Sequence, residues 1–102
     1  MIHVLATIEL RPGVRDAFLE EFRRIVPLVR AESGCIEYVP TVDVDTGLEK
    51  IAPPRPDEVT VVEKWESVSH LEAHLASAHM AEYRERVRGL VVKSTVRVTE
   101  PA

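Results

Sequence analysis

Three stretches of the chain predict β-strands: the first by an imperfect alternation of apolar and polar residues, the second by a strict one and the third by a run of β-branched apolar residues. The stretches run from Ile2 to Leu10, from Cys35 to Val44 and from Glu58 to Trp65. A fourth stretch rich in β-branched residues, from Leu90 to Thr99, predicts the last strand. In the second stretch, strict alternation puts four apolar side chains on one face: Ile36, Tyr38, Val42 and Val44.

Between the first two strands the apolar residues recur at steps of three and four, which predicts an amphipathic helix. This helix begins near Val14 and ends at Gly34, a residue suited to a left-handed cap. Pro27 lies inside the pattern and is expected to distort the last turn, because proline removes a backbone donor. The apolar stripe consists of Val14, Ala17, Phe18, Phe22, Ile25, Val26 and Val29.

A second helical stretch follows the third strand. Ser67 is a favourable N-cap residue, and Leu71 and Leu75 supply the inward face of the helix. A break near Ser77 separates this helix from its continuation, which spans His79 to Arg88.

The element order β-α-β-β-α-β over a single domain, residues 1–102, predicts an α+β fold of the ferredoxin-like type. Its four-stranded antiparallel sheet carries both helices on one face. The strands have apolar residues of both parities, such as Val61 beside Val62 and Val91 beside Val92. Because the chain has no third layer to cover the second face, a second copy of the sheet is the expected cover, which predicts a homodimer.

The charge and cysteine content narrow the class of protein. A net charge of −4 argues against binding to nucleic acid or to an anionic membrane surface. The single cysteine, Cys35, excludes an intrachain disulfide and is typical of a reducing compartment. No apolar stretch approaches the ~20 residues of a membrane span, and the first residues do not resemble a signal peptide. We therefore expect a cytoplasmic protein.

Chemistry-bearing residues concentrate between Glu63 and Tyr83, a segment that contains the only Trp, three of the four His and one of the two Tyr. His70 and His74 share a helical face, which is one element of a zinc site. The glutamate that should follow the first histidine is displaced to Glu72, and no third ligand is evident. We therefore expect no metal here and expect His70 to face solvent.

His74 and His79 have two interpretations. Each is either a core histidine with a satisfied hydrogen bond or a general base, since imidazole titrates near neutral pH. Trp65, Tyr83 and Tyr38 are likewise either core residues or the walls of a pocket for an aromatic ligand.

The same segments resemble the antibiotic biosynthesis monooxygenase family, and within it the small quinol monooxygenases (the YgiN-like group). The likeness covers nearly the whole chain. Its most specific part is a tryptophan at a strand end followed by spaced histidines. The matching segments are Arg11-Pro12-Gly13, Ile25-Val26-Pro27, Glu32-Ser33-Gly34-Cys35, Tyr38-Val39-Pro40, Val42-Asp43, Glu63 to Ser67, His70 to Leu75, His79-Met80 and Val87-Arg88-Gly89.

The resemblance implies a dimeric α/β barrel that oxygenates quinols or polyketide anthrones with molecular oxygen and no cofactor. The absence of any nucleotide-binding or flavin motif in the sequence agrees with this expectation. It implies a pocket between sheet and helices lined by Trp65, Tyr38 and Met80, with His74 or His79 as the base. Tyr83 is a further substrate-binding candidate.

Other activities in the same fold remain as alternatives. Haem degradation is not expected, because Thr7 or Ile8, His74 and Arg84 stand where its Asn, Trp and His belong. A small-molecule-binding or isomerase member without oxygenase activity is the main alternative. RNA binding is set aside, because the third strand offers no stacking aromatic before Trp65.

Overall fold

The computed structural model describes all residues, 1–102, and contains four strands and three helices. The sheet order is β2-β3-β1-β4 and every neighbouring pair is antiparallel, which confirms the ferredoxin-like α+β fold. The predicted second helix is divided into two. The elements are β1 (Ile2–Leu10), α1 (Arg15–Arg30), β2 (Cys35–Thr41), β3 (Glu58–Trp65), α2 (Val68–Leu75), α3 (Ala78–Val87) and β4 (Val91–Thr99). None of the helices is long and apolar enough to cross a membrane.

The core lies between the helices and one face of the sheet, which we call the helix face. Alternate residues of β1 are buried on this face, as are Val59 and Val61 of β3. Helix α1 covers them with Phe18, Phe22 and other apolar residues of its predicted stripe. The aromatic rings of the core pack against one another at centroid distances of 5.5–6.2 Å.

Strand β2 departs from the predicted alternation at two points. It ends at Thr41, so Val42 and Val44 lie beyond it and are exposed. Its pairing with β3 shifts register between Cys35 and Glu37. Because the shift leaves Ile36 as an extra residue, Ile36 is 51% exposed whereas Tyr38 is buried. The prediction that these four residues share a face is therefore wrong.

A second bulge affects β4. The pairing with β1 shifts between Glu9 and Leu10, whose partners are Lys93 and Val91, so Val92 is the extra residue. The apolar pair Val91-Val92 therefore reflects a bulge and is no sign of two buried faces. The pair formed by Val61 and Val62 does divide between the faces, because Val61 is buried and Val62 has the opposite parity.

The other face of the sheet, the open face, has no covering layer within the chain. One row across three strands is apolar, with Val39 beside Val62 and Val62 beside Leu5. The adjacent row consists of threonines: Thr41, Thr60, Thr7 and Thr95. The molecule measures 39 × 36 × 20 Å, and its shortest dimension matches one sheet with one layer of helices.

Candidate functional site

A cavity of about 270 Å³ lies between the helix face of the sheet and the helices. Eleven of its 15 lining residues are hydrophobic, so a bound ligand would be largely removed from water. The polar lining residues other than tyrosine are Glu63, His74, Arg84 and Ser94. The remaining lining residues are Val4, Ala6, Ile8, Phe22, Tyr38, Val61, Leu71, Leu75, Met80, Tyr83 and Val96.

His74 is held in the cavity wall by contacts on several sides. It lies in the last turn of α2, and its ring packs at 4.7 Å from the Trp65 ring and 5.4 Å from the Tyr38 ring. Its Nδ1 is 2.9 Å from Oε2 of Glu32. No buried polar side-chain atom lacks a hydrogen-bond partner, so the unpaired Nε2 reaches the cavity. Burial is the main influence on the ring and lowers the pKa of His74, which favours the neutral imidazole.

Glu32 connects two histidines that are far apart in the chain. Its Oε2 lies 2.9 Å from Nδ1 of His74 and 2.7 Å from Nε2 of His79. With Glu32 ionised and His74 neutral, the Nδ1–H donates to the carboxylate, and Nε2 keeps its lone pair for the cavity. This arrangement orients His74 as a proton acceptor.

The loop that carries Glu32 depends on a close approach at Gly34. Gly34 has a φ of +80°, and a Cβ there would lie 2.3 Å from the ring of His70. Only glycine therefore fits between α1 and α2 at this point. The carbonyl of Gly34 accepts a hydrogen bond of 2.9 Å from the backbone N–H of Glu66, which joins the loop to the end of β3.

The break between α2 and α3 brings His74 and His79 to the same carboxylate. The Ser77 hydroxyl donates to the carbonyl of His74 at 2.7 Å, which closes α2 and lets the chain turn. Arg84 of α3 donates to the carbonyl of Leu75 at 2.7 Å and ties the two helices together.

Glu63 is a second buried acidic residue of the site. It is 5% exposed, and its Oε1 accepts a 3.0 Å hydrogen bond from the indole Nε1–H of Trp65. Burial raises the pKa of Glu63 to about 7, the negative charge of Glu32 adds to this effect, and the indole hydrogen bond opposes it. Trp65 thus lies behind the cavity wall and holds Glu63 in place.

Tyr38 and Tyr83 present hydroxyl groups to the cavity. Neither hydroxyl has a hydrogen-bond partner in the protein and neither is fully enclosed, so both remain available to a ligand. Burial raises the pKa of both residues, and they stay protonated near neutral pH as hydrogen-bond donors. Met80 adds a flexible apolar surface beside them.

The structure thus brings four of the six predicted site residues to the cavity: His74, Tyr38, Tyr83 and Met80. It does not bring Trp65, which is fully buried, or His79, whose ring contacts Glu32 without lining the cavity. Trp65 was expected to line the pocket and instead lies behind its wall, and His79, the alternative base, does not line the cavity.

His70 also departs from its prediction. It is half-buried beside Gly34, and its Nδ1 lies 2.7 Å from the hydroxyl of Ser67. The predicted N-cap is confirmed, because the Ser67 hydroxyl accepts from the backbone N–H of His70.

Sequence reasoning did not select Glu63 and Glu32. Glu63 carries a signal that strand alternation provides, since it stands between Val61 and Trp65 on the buried parity of β3. Glu32 carries no such signal, because only the folded chain places it beside the histidines.

Glu32, His74 and His79 are also the three residues that could hold a metal ion. Their ligand atoms lie within 4.8 Å of one another. The two hydrogen bonds to Glu32 account for this proximity without an ion. The third possible ligand, which was not evident in the sequence, is thus the carboxylate of Glu32 in a distant loop. It contacts His74 and His79, whereas His70 does not belong to this group.

Known proteins are similar to this chain in sequence and in fold. A family model described as antibiotic biosynthesis monooxygenase matches residues 1–86. A protein of Escherichia coli strain K12 named "Probable quinol monooxygenase YgiN" is 43% identical over 103 aligned positions, which cover 99% of this chain and 98% of that protein.

Solved structures share the fold at lower identity. Rv0793 from Mycobacterium tuberculosis superposes with a TM-score of 0.79 at 27% identity, covering 99% of this chain and 94% of that one. PA3566 from Pseudomonas aeruginosa superposes with a TM-score of 0.81 at 23% identity, covering 99% and 93%. The second likeness concerns the fold alone.

Proposed function

The chain belongs to the antibiotic biosynthesis monooxygenase family, as its sequence resemblance indicated, and on this premise we propose that it oxidises quinols or related electron-rich polycyclic aromatics with molecular oxygen and without a cofactor. The observation that carries the proposal is the apolar cavity with one oriented imidazole in its wall. The name of the Escherichia coli relative supports a quinol as the substrate.

The proposed reaction needs no external reductant. When a quinol becomes a hydroxyquinone, two electrons leave as the quinol becomes a quinone and two more as a ring C–H becomes C–OH. These four electrons reduce one molecule of oxygen, of which one atom enters the ring and the other leaves as water. The protein therefore has to bind the quinol away from water, remove a proton and admit oxygen.

In this proposal His74 is the base. Its Nε2 takes a hydroxyl proton from the quinol, and Glu32 stabilises the imidazolium that forms. The resulting anion is a much stronger reductant than the neutral quinol. Tyr38 and Tyr83 donate hydrogen bonds to the substrate oxygens, and Met80 packs against the ring. Trp65 acts through Glu63 and His74, as a positioning residue.

The proposal includes a homodimer formed through the open face. The row of Val39, Val62 and Leu5 and the neighbouring threonines give this face an apolar and β-branched surface. In the single chain, the Leu5 residue of this row is 44% exposed to solvent. Burial of this surface against a second copy would remove it from water.

Oxygen consumption with a reduced naphthoquinone tests the function. The wild-type protein should consume oxygen above the rate of spontaneous oxidation, and ¹⁸O₂ should place one labelled atom in the organic product. His74→Gln should lower kcat/KM by about 10²–10⁴-fold, the usual contribution of a general base. His70→Gln is the matched control, because His70 does not line the cavity.

The main alternative has a different outcome. A protein that gains thermal stability from the oxidised naphthoquinone but consumes no oxygen with the reduced form is a small-molecule-binding member of the family without oxygenase activity. Loss of turnover in both histidine variants would contradict the assignment of the base.

A further inference from the structure

We infer that Glu63 is a second proton-accepting residue of the cavity, which takes the proton of the substrate's second hydroxyl group while His74 takes that of the first. The inference rests on the proposed function, because it concerns the same cavity and the same reaction. Glu63 is the only acidic residue among those that line the cavity.

The geometry leaves one oxygen of Glu63 free for a ligand. The Trp65 indole N–H binds Oε1, and no other side-chain hydrogen bond reaches this carboxyl group. Because no buried polar side-chain atom is unpartnered, Oε2 borders the open space of the cavity. The indole fixes the direction of the carboxyl group, so the free oxygen points to a defined place.

The hydrogen bond from the Trp65 indole explains only one of the two carboxyl oxygens of Glu63. Glu63 forms no ion pair with any Lys, Arg or His side chain, although its neighbours of the same parity, Val61 and Trp65, are fully buried. A buried carboxylate without a cationic partner is costly, and a glutamine at this position would accept the same indole hydrogen bond without a charge. The position is explained if a ligand supplies the missing hydrogen bond.

The proposed reaction moves two hydroxyl protons from the quinol to the oxygen atom that leaves as water, and a second acceptor allows both hydroxyl groups to be deprotonated in the same complex. A quinol that becomes a quinone loses two electrons to oxygen and two hydroxyl protons, one from each side of the ring. His74 accepts one proton through Nε2, and its Nδ1 is engaged with Glu32. Ionised Glu63 accepts the other through Oε2, and both protons are then returned to the oxygen atom that leaves as water.

The surroundings of Glu63 suit this exchange near neutral pH. The titratable groups around it are Glu32, Cys35, Tyr38, His74, Tyr83 and Arg84. The pKa of both tyrosines is raised and that of His74 is lowered, so these groups keep one protonation state around pH 7. A carboxyl group with a pKa of about 7 accepts and releases protons at that pH.

The test compares Glu63→Gln with wild-type protein on two substrates. One is a reduced naphthoquinone with two hydroxyl groups, and the other is an anthrone, whose enol has one. Glu63→Gln should lower kcat/KM for the quinol by about 100-fold and leave that for the anthrone within about twofold. Glu66→Gln, which removes an exposed carboxylate three residues away, is the matched control and should change neither.

The pH profile supplies a second measurement. For wild-type protein, kcat/KM for the quinol should rise as pH increases through about 7, because Glu63 must be ionised to accept a proton. The rise should be absent in Glu63→Gln. In Trp65→Phe it should move to higher pH, because the indole hydrogen bond that lowers the pKa of Glu63 is lost.

Four results would overturn the inference. Equal losses of kcat/KM on both substrates in Glu63→Gln would mean that Glu63 only shapes the cavity. Wild-type activity of Glu63→Gln on both substrates would mean that Glu63 takes no part in the reaction. An unchanged pH profile in Trp65→Phe would mean that the rise of kcat/KM with pH does not report the ionisation of Glu63. Wild-type protein that oxidises neither substrate would refute the proposed function, and the inference would fall with it.

Discussion

The two faces of the sheet are built from alternate residues of the same strands, yet they bury different groups. On the helix face, the cavity wall includes Glu63 and His74, the two buried polar residues of the chain. On the open face, the charged residues are partly exposed, and Lys64 pairs with Glu37 at 3.1 Å. Its central rows are apolar or consist of threonine.

Because of this difference, we expect the open face to serve assembly and the helix face to serve turnover, although their residues alternate along the same strands. Because successive side chains point to opposite faces, Val62 and Glu63 are neighbours in sequence but belong to different surfaces. We expect substitutions on the open face to change assembly and leave the cavity intact. Substitutions on the helix face should change turnover and leave assembly intact.

The largest expected effect is on the open face. Val62→Glu places a carboxylate in the middle of the apolar row, between Val39 and Leu5. Its burial against a second copy is unfavourable, and the dimer dissociation constant should rise by at least about 100-fold, or about 3 kcal/mol. Analytical ultracentrifugation over a concentration series measures it. Val68→Glu, at an exposed position on α2, is the control and should leave the dimer unchanged.

A wild-type protein that stays monomeric at millimolar concentration would contradict the proposed dimer through the open face. So would a Val62→Glu variant that associates like wild type.

The next effect concerns stability on the helix face. Folding raises the pKa of Glu63 from 4.5 to about 7, so between these values the folded protein binds more protons than the unfolded chain. Its free energy of unfolding therefore falls as pH rises through this window. The total cost is about 3 kcal/mol above pH 7. Glu63→Gln should lack this decline, so its stability relative to wild type should increase from pH 4.5 to pH 8.

Urea unfolding at fixed protein concentration across that range measures the difference. Glu37→Gln, a carboxylate removed from the open face, should follow the wild-type curve through the same window. Parallel curves for wild type and Glu63→Gln would show that Glu63 is ionised at low pH and is not a destabilising buried group.

The smallest effect distinguishes the two histidines on Glu32. His79 contacts the carboxylate at 2.7 Å but does not line the cavity. Since glutamine can still donate an N–H to Glu32, His79→Gln should lower kcat/KM by no more than about threefold. The oxygen-uptake assay gives this value beside that of His74→Gln. A loss of kcat/KM in His79→Gln as large as that in His74→Gln would contradict the assignment of His74 alone as the base.

The fold followed from periodicity with few errors. Strands β1 and β3 match their predicted bounds, and Ser67 and the break near Ser77 define the helix ends as expected. The errors fall where a strand contains an extra residue, at Ile36 and at Val92. A bulge changes the parity of every residue on one side of it, and the composition of the strand does not reveal where it occurs.

The site was predicted less completely, for a different reason. His74, Tyr38, Tyr83 and Met80 were selected by residue type and by their place on predicted elements, and they line one cavity. Trp65 was selected for the same reasons but lies behind the wall, because a strand-end residue can be buried either beside a cavity or beneath it.

The sequence by itself determined the order of the elements, the buried parity of β1 and β3 and the family to which the chain belongs. Local periodicity carries this information, because burial repeats every two residues in a strand and every three or four in a helix. Only the tertiary structure decided which groups meet. Glu32 lies 42 residues from His74 and 47 from His79. Their contact depends on the turn at Gly34 and the break at Ser77 acting together, which no local pattern records.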